Sequence, residues 1–209
     1  MELLQHYISR RPVALSSSGM PHGARTERRI LDAAYTLFVT APADEFTMRN
    51  LARVLDIRMG NLTYHYKTKS DLVEALVRDR MATYSGDILD LLQITGTSPQ
   101  DALNKTIAYL VRDLHNPEIA FFPQLWARAL HDPVAEGMMD EIHEIERQFI
   151  AGLVRATRPD WGRHRCDALA WHITASIEWL TIFIGQNRRS GGIDVAPEEE
   201  IVSNLYKTV

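Results

Sequence analysis

The segment from Phe46 to Leu72 constrains the fold of this chain more than any other. It reads FTMRNLARVLDIRMGNLTYHYKTKSDL. Thr47 is suited to be a helix N-cap, because its hydroxyl can accept a free backbone N–H of the first turn. Phe46 and Leu51 are spaced for a hydrophobic staple that fixes how the chain enters the helix. Apolar residues then recur at helical spacing, at Met48, Leu51, Ala52 and Leu55.

The second half of this segment indicates a turn and another short helix. Asp56 stands where the chain must reverse, and Asp tolerates the left-handed backbone of such turns. A second helix is predicted from about Arg58 to Tyr66, with Leu62 and Tyr66 as core residues on its inner face. The outer face is polar and carries Arg58, Asn61, Thr63, Tyr64 and His65. Two short helices joined by a tight turn, the second one polar, have the geometry that enters a DNA major groove.

From Thr26 to Leu76 the chain resembles the DNA-binding domain of the TetR (tetracycline-repressor-like) family of bacterial regulators. The matching pieces are TERRILDAAYTLF, FTMRNLARVLDI and RMGNLTYHYKTKSDLV, and the YHYKTKSDL ending is specific. Two positions depart from the family pattern. Thr63 occupies the place of a usual recognition-helix Tyr, with Tyr64 one position later. The APADE segment, which contains Pro42, replaces the usual glycine of the first loop.

The resemblance implies an all-α protein of about nine helices, with a three-helix DNA-binding head at residues 25–68 and a ligand-binding, dimerising body at 69–209. It implies a repressor released from double-stranded operator DNA by a small-molecule inducer, with the long helix after Lys69 as the lever. Backbone contacts are expected from Thr47, Tyr64, His65 and Lys69. Base reading is expected from Arg58, Asn61 and Thr63, with Arg58 suited to guanine and Asn61 to adenine.

Charge is distributed unevenly along the chain. The 209 residues carry a net charge of −4. Residues 1–70 hold ten Lys/Arg and six Asp/Glu, and the remaining residues hold thirteen and twenty-one. A modestly basic head on an acidic body favours a regulator over a protein that simply coats nucleic acid. The single cysteine, Cys166, excludes an intrachain disulfide and fits a reducing cytoplasm. No segment has the about 20 continuous apolar residues of a membrane span.

The first 24 residues have no sustained periodicity and contain a serine run, two prolines and two glycines. This composition predicts a flexible arm. Two interpretations stay open. An arm containing Arg10 and Arg11 could reach an adjacent minor groove. Alternatively, it is a solvated tail, or Met20 is the true start.

The body is predicted to be helical throughout, because its helix starts share one pattern. A capping side chain is followed by an acidic residue or by proline at the first helical position. Thr68 with Asp71 opens a helix to about Leu92. The later starts are Ser98–Pro99, Asn116–Pro117, Asp132–Pro133 and a region near Arg163, with a last short helix near Pro197. Pro123 is expected to kink or restart the helix that Asn116–Pro117 opens.

The helix from Arg163 to about Asn187 is apolar on nearly every side, so it is expected to be buried all round. It is either the central core helix of a monomer or a helix shared between two protomers. The resemblance favours a homodimer, and so does DNA reading, because dimers reach two half-sites about 34–36 Å apart. The expected interface residues are Leu169, Ile173, Leu180 and Phe183.

A largely apolar inducer is expected in the body, where aromatic residues are plentiful. The candidate ligand-binding residues are Tyr109, Phe122, Trp126, Trp171 and Glu178. For each aromatic residue taken alone, plain core packing is the simpler interpretation. Glu178 lies in the most apolar helix, and burying a lone carboxylate is costly. Its partner is either a cationic or hydrogen-bonding ligand, or an internal arginine such as Arg112 or Arg128.

Other function classes are less favoured. The acidic run from Asp140 to Glu146 is interpreted as a solvated helix face rather than a metal site, and no catalytic motif or cofactor site is found. The chain is therefore not expected to be an enzyme. Two alternatives remain, namely a non-specific architectural DNA binder and a helical small-molecule-binding dimer without DNA function. A steep salt dependence without sequence preference would indicate the first.

Overall fold

Eight α-helices and no β-strand make up the part of the chain that the structure describes. The structure, a computed structural model, describes residues 21–42, 44–93, 98–114 and 120–183, together with 200, 203 and 204. The helices are α1 (His22–Thr40), α2 (Met48–Val54), α3 (Met59–His65), α4 (Lys69–Gln93), α5 (Pro99–Asp113), α6 (Phe121–Ala129), α7 (Pro133–Thr157) and α8 (Arg163–Phe183). The predicted all-α class is confirmed.

The helix starts follow the predicted capping pattern. The Thr47 hydroxyl accepts the Asn50 N–H at 3.1 Å. Before α4 a reciprocal capping box forms, in which the Asp71 N–H donates to the Thr68 hydroxyl and the Thr68 N–H donates to the Asp71 carboxylate. Ser98 and Asp132 cap α5 and α7, each with proline at the next position. Local side-chain chemistry thus sets these four boundaries.

Some predicted elements differ from the structure or lie outside it. Helix α6 begins at Phe121, and Pro123 lies in its first turn, where a missing N–H costs little, so the helix is not broken there. The Asn116–Pro117 start, the arm up to residue 20 and the end of α8 beyond Phe183 lie outside the described residues. Most of the ninth helix does too, although residues 200, 203 and 204 are helical.

The turn between α2 and α3 depends on Asp56, whose φ of 52° is left-handed as predicted. Leu62 and Tyr66 are buried, which confirms them as core residues of the head. The head core also contains Phe38 and Phe46, whose rings meet edge to face at 5.1 Å. The two short helices therefore sit rigidly on α1.

Two apolar clusters run through the described residues. The first joins the head to the body, because Phe121 of α6 and Met139 of α7 pack in the same cluster as Phe38 and Phe46. The second lies between α5, α7 and α8 and includes Ile107, Ile150 and Ile173. The head is thus continuous in packing with the body.

Helix α8 is not buried all round, contrary to the expectation. One side packs on α7, while Trp171 and Trp179 on another side are each 59% exposed. Ala168 and Ala175 are exposed as well. Among the described helices, α7 and α5 pack most closely on α8, and the side that carries Trp171 and Trp179 faces outward.

Candidate functional site

Helix α3 presents a polar surface on the outside of the head. Leu62 anchors it to the core with no exposed surface. Arg58 is the N-cap residue of α3, and both it and Asn61 are exposed. Tyr64 is 84% exposed. These three side chains are accessible to a nucleic acid lying against α3.

The other predicted DNA contacts are partly engaged within the head. The Thr47 hydroxyl already caps α2. The Thr63 hydroxyl donates to the Met59 carbonyl at 3.1 Å, which turns it back onto its own helix. His65 lies edge to face with Tyr64, with ring centroids 5.3 Å apart. Arg58, Asn61 and Tyr64 are therefore the best-placed group.

Lys69 begins α4 and joins a cationic cluster that the sequence did not reveal. Its Nζ lies 5.3 Å from the Phe46 ring centroid, and Arg128 of α6 lies 4.9 Å from the same ring. Burial, and then the nearby Arg128 charge, lower the pKa of Lys69. Arg128 also stacks over Phe38 at 5.0 Å. Helix α6 thus contacts the head through both apolar and cationic side chains.

A second link connects α1 to α4 through an ion-pair network. Arg28 donates to both carboxylate oxygens of Asp79, at 2.6 and 3.0 Å, and Arg80 donates to Asp79 at 3.1 Å. Burial alone would raise the pKa of Asp79, but the hydrogen bonds and charges of Arg28 and Arg80 outweigh it and lower the pKa. The network holds the supporting helix of the head against the long helix of the body.

A cavity of about 620 Å³ opens between α6, α7 and α8. Four predicted ligand-binding residues line it, namely Phe122, Trp126, Trp171 and Glu178. Tyr109 does not line it. The Tyr109 hydroxyl instead donates to Asp87 at 3.1 Å, and Arg112 lies over its ring at 5.8 Å.

The internal partner of Glu178 is a histidine, not an arginine. The Glu178 carboxylate lies 3.6 Å from His143 Nε2, whereas Arg112 and Arg128 stack on aromatic rings elsewhere. The expectation of Arg112 or Arg128 is therefore wrong. Glu178 raises the pKa of His143, although burial opposes the rise. Burial and then the Glu178 charge raise the pKa of Glu146 to about 8.

The acidic run of α7 is not simply a solvated face. Asp140, His143, Glu144 and Arg147 line the cavity, while Glu141 is exposed. The missed signal is helical spacing, because His143 follows the buried Met139 by four positions and so shares its side of the helix.

The predicted interface residues of α8 lie mainly inside the protomer. Leu169 and Ile173 are buried in the cluster between α5, α7 and α8, and Leu180 packs against it partly buried. The Phe183 side chain lies outside the described part of the structure. Over the described residues, no group of His, Cys, Asp and Glu is arranged to hold a metal ion. None of the described helices is both long and apolar enough to cross a membrane.

Comparison with known proteins connects this geometry to a family. The profile described as "Bacterial regulatory proteins, tetR family" matches residues 30–76, which span most of α1, all of α2 and α3 and the start of α4. Residues 30–76 therefore carry the TetR-family DNA-binding domain. The match falls on the helix-turn-helix described above and includes all of α3.

Relatives along the whole length are more distant. The chain is 20% identical over 160 residues to the HTH-type transcriptional regulator BetI of Escherichia coli O157:H7, covering 73% of this chain and 78% of that one. A transcriptional regulator from Saccharomonospora viridis in complex with choline superposes with a TM-score of 0.69 at 18% identity, covering 88% and 95% of the two chains. Salmonella enterica GusR also superposes with a TM-score of 0.69, at 16% identity, covering 90% of this chain and 98% of that one. These structures support the fold of head and body together.

Proposed function

We propose that this chain is a homodimeric, sequence-specific repressor that a small molecule releases from its operator. The observation that carries the ligand response is the position of α6. Phe121 lies in the head cluster, with its ring centroid 5.0 Å from that of Phe38, and the next residue, Phe122, lines the cavity. One short helix therefore touches both the cavity and the DNA-binding head.

The proposed mechanism follows from that arrangement. A ligand in the cavity contacts Phe122 and Trp126, and any movement of α6 displaces Phe121 and Arg128 against the head core. Helix α4, tied to α1 through Arg28 and Asp79, carries the displacement along the body. The ligand lowers DNA affinity only as far as it binds the released head arrangement more tightly than the DNA-bound one.

A partner protomer is proposed to cover the outer side of α8. Ala168, Trp171, Ala175 and Trp179 recur three and four positions apart and are all exposed. Two such faces packed about a two-fold axis would bury apolar surface that a monomer leaves in water. The dimer would then offer two copies of α3 to two half-sites.

Fluorescence anisotropy with labelled DNA from the upstream region of its own gene, against scrambled DNA at physiological salt, tests the operator function. Asn61→Ala and Arg58→Ala are each expected to lose about 1–3 kcal/mol of operator binding, since each removes a base-reading side chain. Arg163→Ala, an exposed cation at the start of α8, is the matched control and is expected to bind as wild type. Equal affinity for both DNAs would contradict sequence-specific binding to this region.

A further inference from the structure

The cavity is walled by aromatic rings from two helices. Phe122 and Trp126 come from α6, and Trp171 and Trp179 come from α8. The faces of such rings attract cations, most strongly when the ring is tryptophan. The structure contains one example, because the Arg147 guanidinium carbon lies 5.2 Å from the Trp171 ring centroid.

The charges of the cavity are predominantly negative. Three carboxylates line it, those of Asp140, Glu144 and Glu178, against the single guanidinium of Arg147. Arg147 is already paired with Glu144. Within the described residues, Glu178 forms an ion pair with the His143 imidazole alone, whose Nε2 lies at 3.6 Å, beyond a good hydrogen bond. Its carboxylate is therefore weakly compensated.

Two polar atoms beside these charges make no hydrogen bond of normal length with the described residues. Among the described residues, neither His143 Nε2 nor the buried Thr174 hydroxyl makes a hydrogen bond. Both residues line the cavity. Buried polar atoms are normally satisfied, so unsatisfied ones at a cavity wall indicate a ligand or water with complementary groups.

From the aromatic walls and the carboxylates of the lining together, we propose that the cavity binds an organic cation, with an ammonium group beside Glu178 and an apolar body against the tryptophans. The cation site is argued from the cavity alone, and only its role as the inducer site rests on the proposed function. A volume of about 620 Å³ is within the range of small-molecule sites, about 300–1,000 Å³. A neutral apolar ligand would desolvate Glu178 without compensating it, and an anion would be repelled by the same carboxylates.

Proton release is a second consequence of a cation at this position. His143 faces Glu178, Glu146 and Asp140, and Arg147 and Glu144 lie on the same cavity wall. Contact with Glu178 raises the pKa of His143, and burial followed by the Glu178 charge raises that of Glu146. A cation beside Glu178 opposes the Glu178 contribution and so lowers the pKa of both groups. Binding therefore releases protons, and the affinity for a permanently charged cation rises between pH 6 and pH 9.

The test uses the full-length protein and a series of quaternary ammonium ions, namely tetramethylammonium, benzyltrimethylammonium and decyltrimethylammonium, each with the neutral isostere in which carbon replaces nitrogen. Binding is measured by tryptophan fluorescence and calorimetry. At least one cation is expected to bind tenfold or more tightly than its isostere, with affinity rising from pH 6 to pH 9. No preference for the cation anywhere in the series would overturn the proposal.

Glu178→Gln separates the carboxylate charge from the shape of the cavity. It is expected to weaken cation binding at least tenfold and to leave binding of the neutral isosteres unchanged. Glu141→Gln, on the exposed side of α7, is the matched control and is expected to bind cations as wild type. Circular dichroism checks that both variants fold. Wild-type cation affinity in folded Glu178→Gln would overturn the placement of the ammonium group.

Operator release measured with the same ligands distinguishes this inference from the proposed function. Cation binding without any change in operator affinity would contradict the inducer function and leave the cation site standing. Release of operator by the neutral isosteres, with no preference for the cations, would overturn the cation site and leave the inducer function standing.

Discussion

At the scale of single residues, two side chains of the head determine where its short helices begin and end. Asp56 adopts a left-handed backbone between α2 and α3, and Thr47 supplies the cap that starts α2. Neither residue lies in the core, yet each determines where a helix begins or ends. The orientation of α3, and therefore of Arg58 and Asn61, depends on that turn.

Substitution of Asp56 tests the cost of the turn. Asp56→Ala is expected to lower the free energy of unfolding by about 1 kcal/mol, because a Cβ without a local polar group strains the left-handed conformation. Asp56→Asn and Asp56→Gly are expected to stay within about 0.5 kcal/mol of wild type, since both residues tolerate that backbone. Urea denaturation at fixed protein concentration measures all three. Equal stability of the Ala and Gly variants would contradict the strain argument.

At the scale of helices, two connections hold the head to the body. Helix α6 inserts Phe121 into the head cluster and stacks Arg128 on Phe38. Helix α4 is tied to α1 by the Arg28–Asp79–Arg80 network, in which Asp79 is only 8% exposed. The first connection combines apolar packing with a cation–π contact, whereas the second depends on an ionised carboxylate.

Asp79→Asn is expected to destabilise the protein by about 2–3 kcal/mol at pH 7, because two partly buried guanidinium groups lose their shared carboxylate. The pKa of Asp79 is depressed in the folded protein, below its ordinary 3.8. Its stabilisation is therefore complete above that value and is lost as the pH falls through the folded pKa. Denaturation is measured from pH 7 to pH 2.5. The difference in the free energy of unfolding between wild type and variant should shrink only below about pH 4.

The control for this network is Glu74→Gln, which removes the exposed pair between Glu74 and Arg78 on the same helix. Surface pairs contribute little, so a loss under about 0.5 kcal/mol is expected at every pH. If Asp79→Asn behaved like this control, the network would not contribute to head attachment.

At the scale of the whole molecule, the described helices leave the outward side of α8 uncovered. Trp171 and Trp179 remain largely exposed there. The same two side chains line the cavity. Dimerisation and ligand binding are thus expected to share this helix, which would connect the cavity of each protomer to its partner.

A charge placed on that side should disrupt the proposed dimer. Ala168→Glu is expected to raise the dimer dissociation constant about 100-fold or more, because an interface would bury an unpaired carboxylate at a cost of several kcal/mol. Operator affinity should fall with it, since a monomer reaches one half-site. Ala108→Glu, exposed on α5, is the control and should leave the dimer intact. Sedimentation at micromolar concentration measures both, and an unaffected Ala168→Glu dimer would exclude this face.

The local features of this protein follow from the sequence itself. The sequence predicts the helix caps, the tight turn of the head and its buried leucine. These are the caps at Thr47, Thr68, Ser98 and Asp132, the turn at Asp56 and the burial of Leu62. Each depends on hydrogen bonds or apolar periodicity within three or four residues. Four of the five candidate ligand residues also line the cavity.

Only the tertiary structure decided which distant side chains meet. Three such features depend on how the helices cross and not on local spacing. They are the pairing of Glu178 with His143, the stacking of Arg128 on Phe38 and the outward position of Trp171. Leu169 and Ile173 face inward for the same reason, because α7 covers that side of α8. A helical pattern specifies which residues share a face, and packing determines what that face contacts.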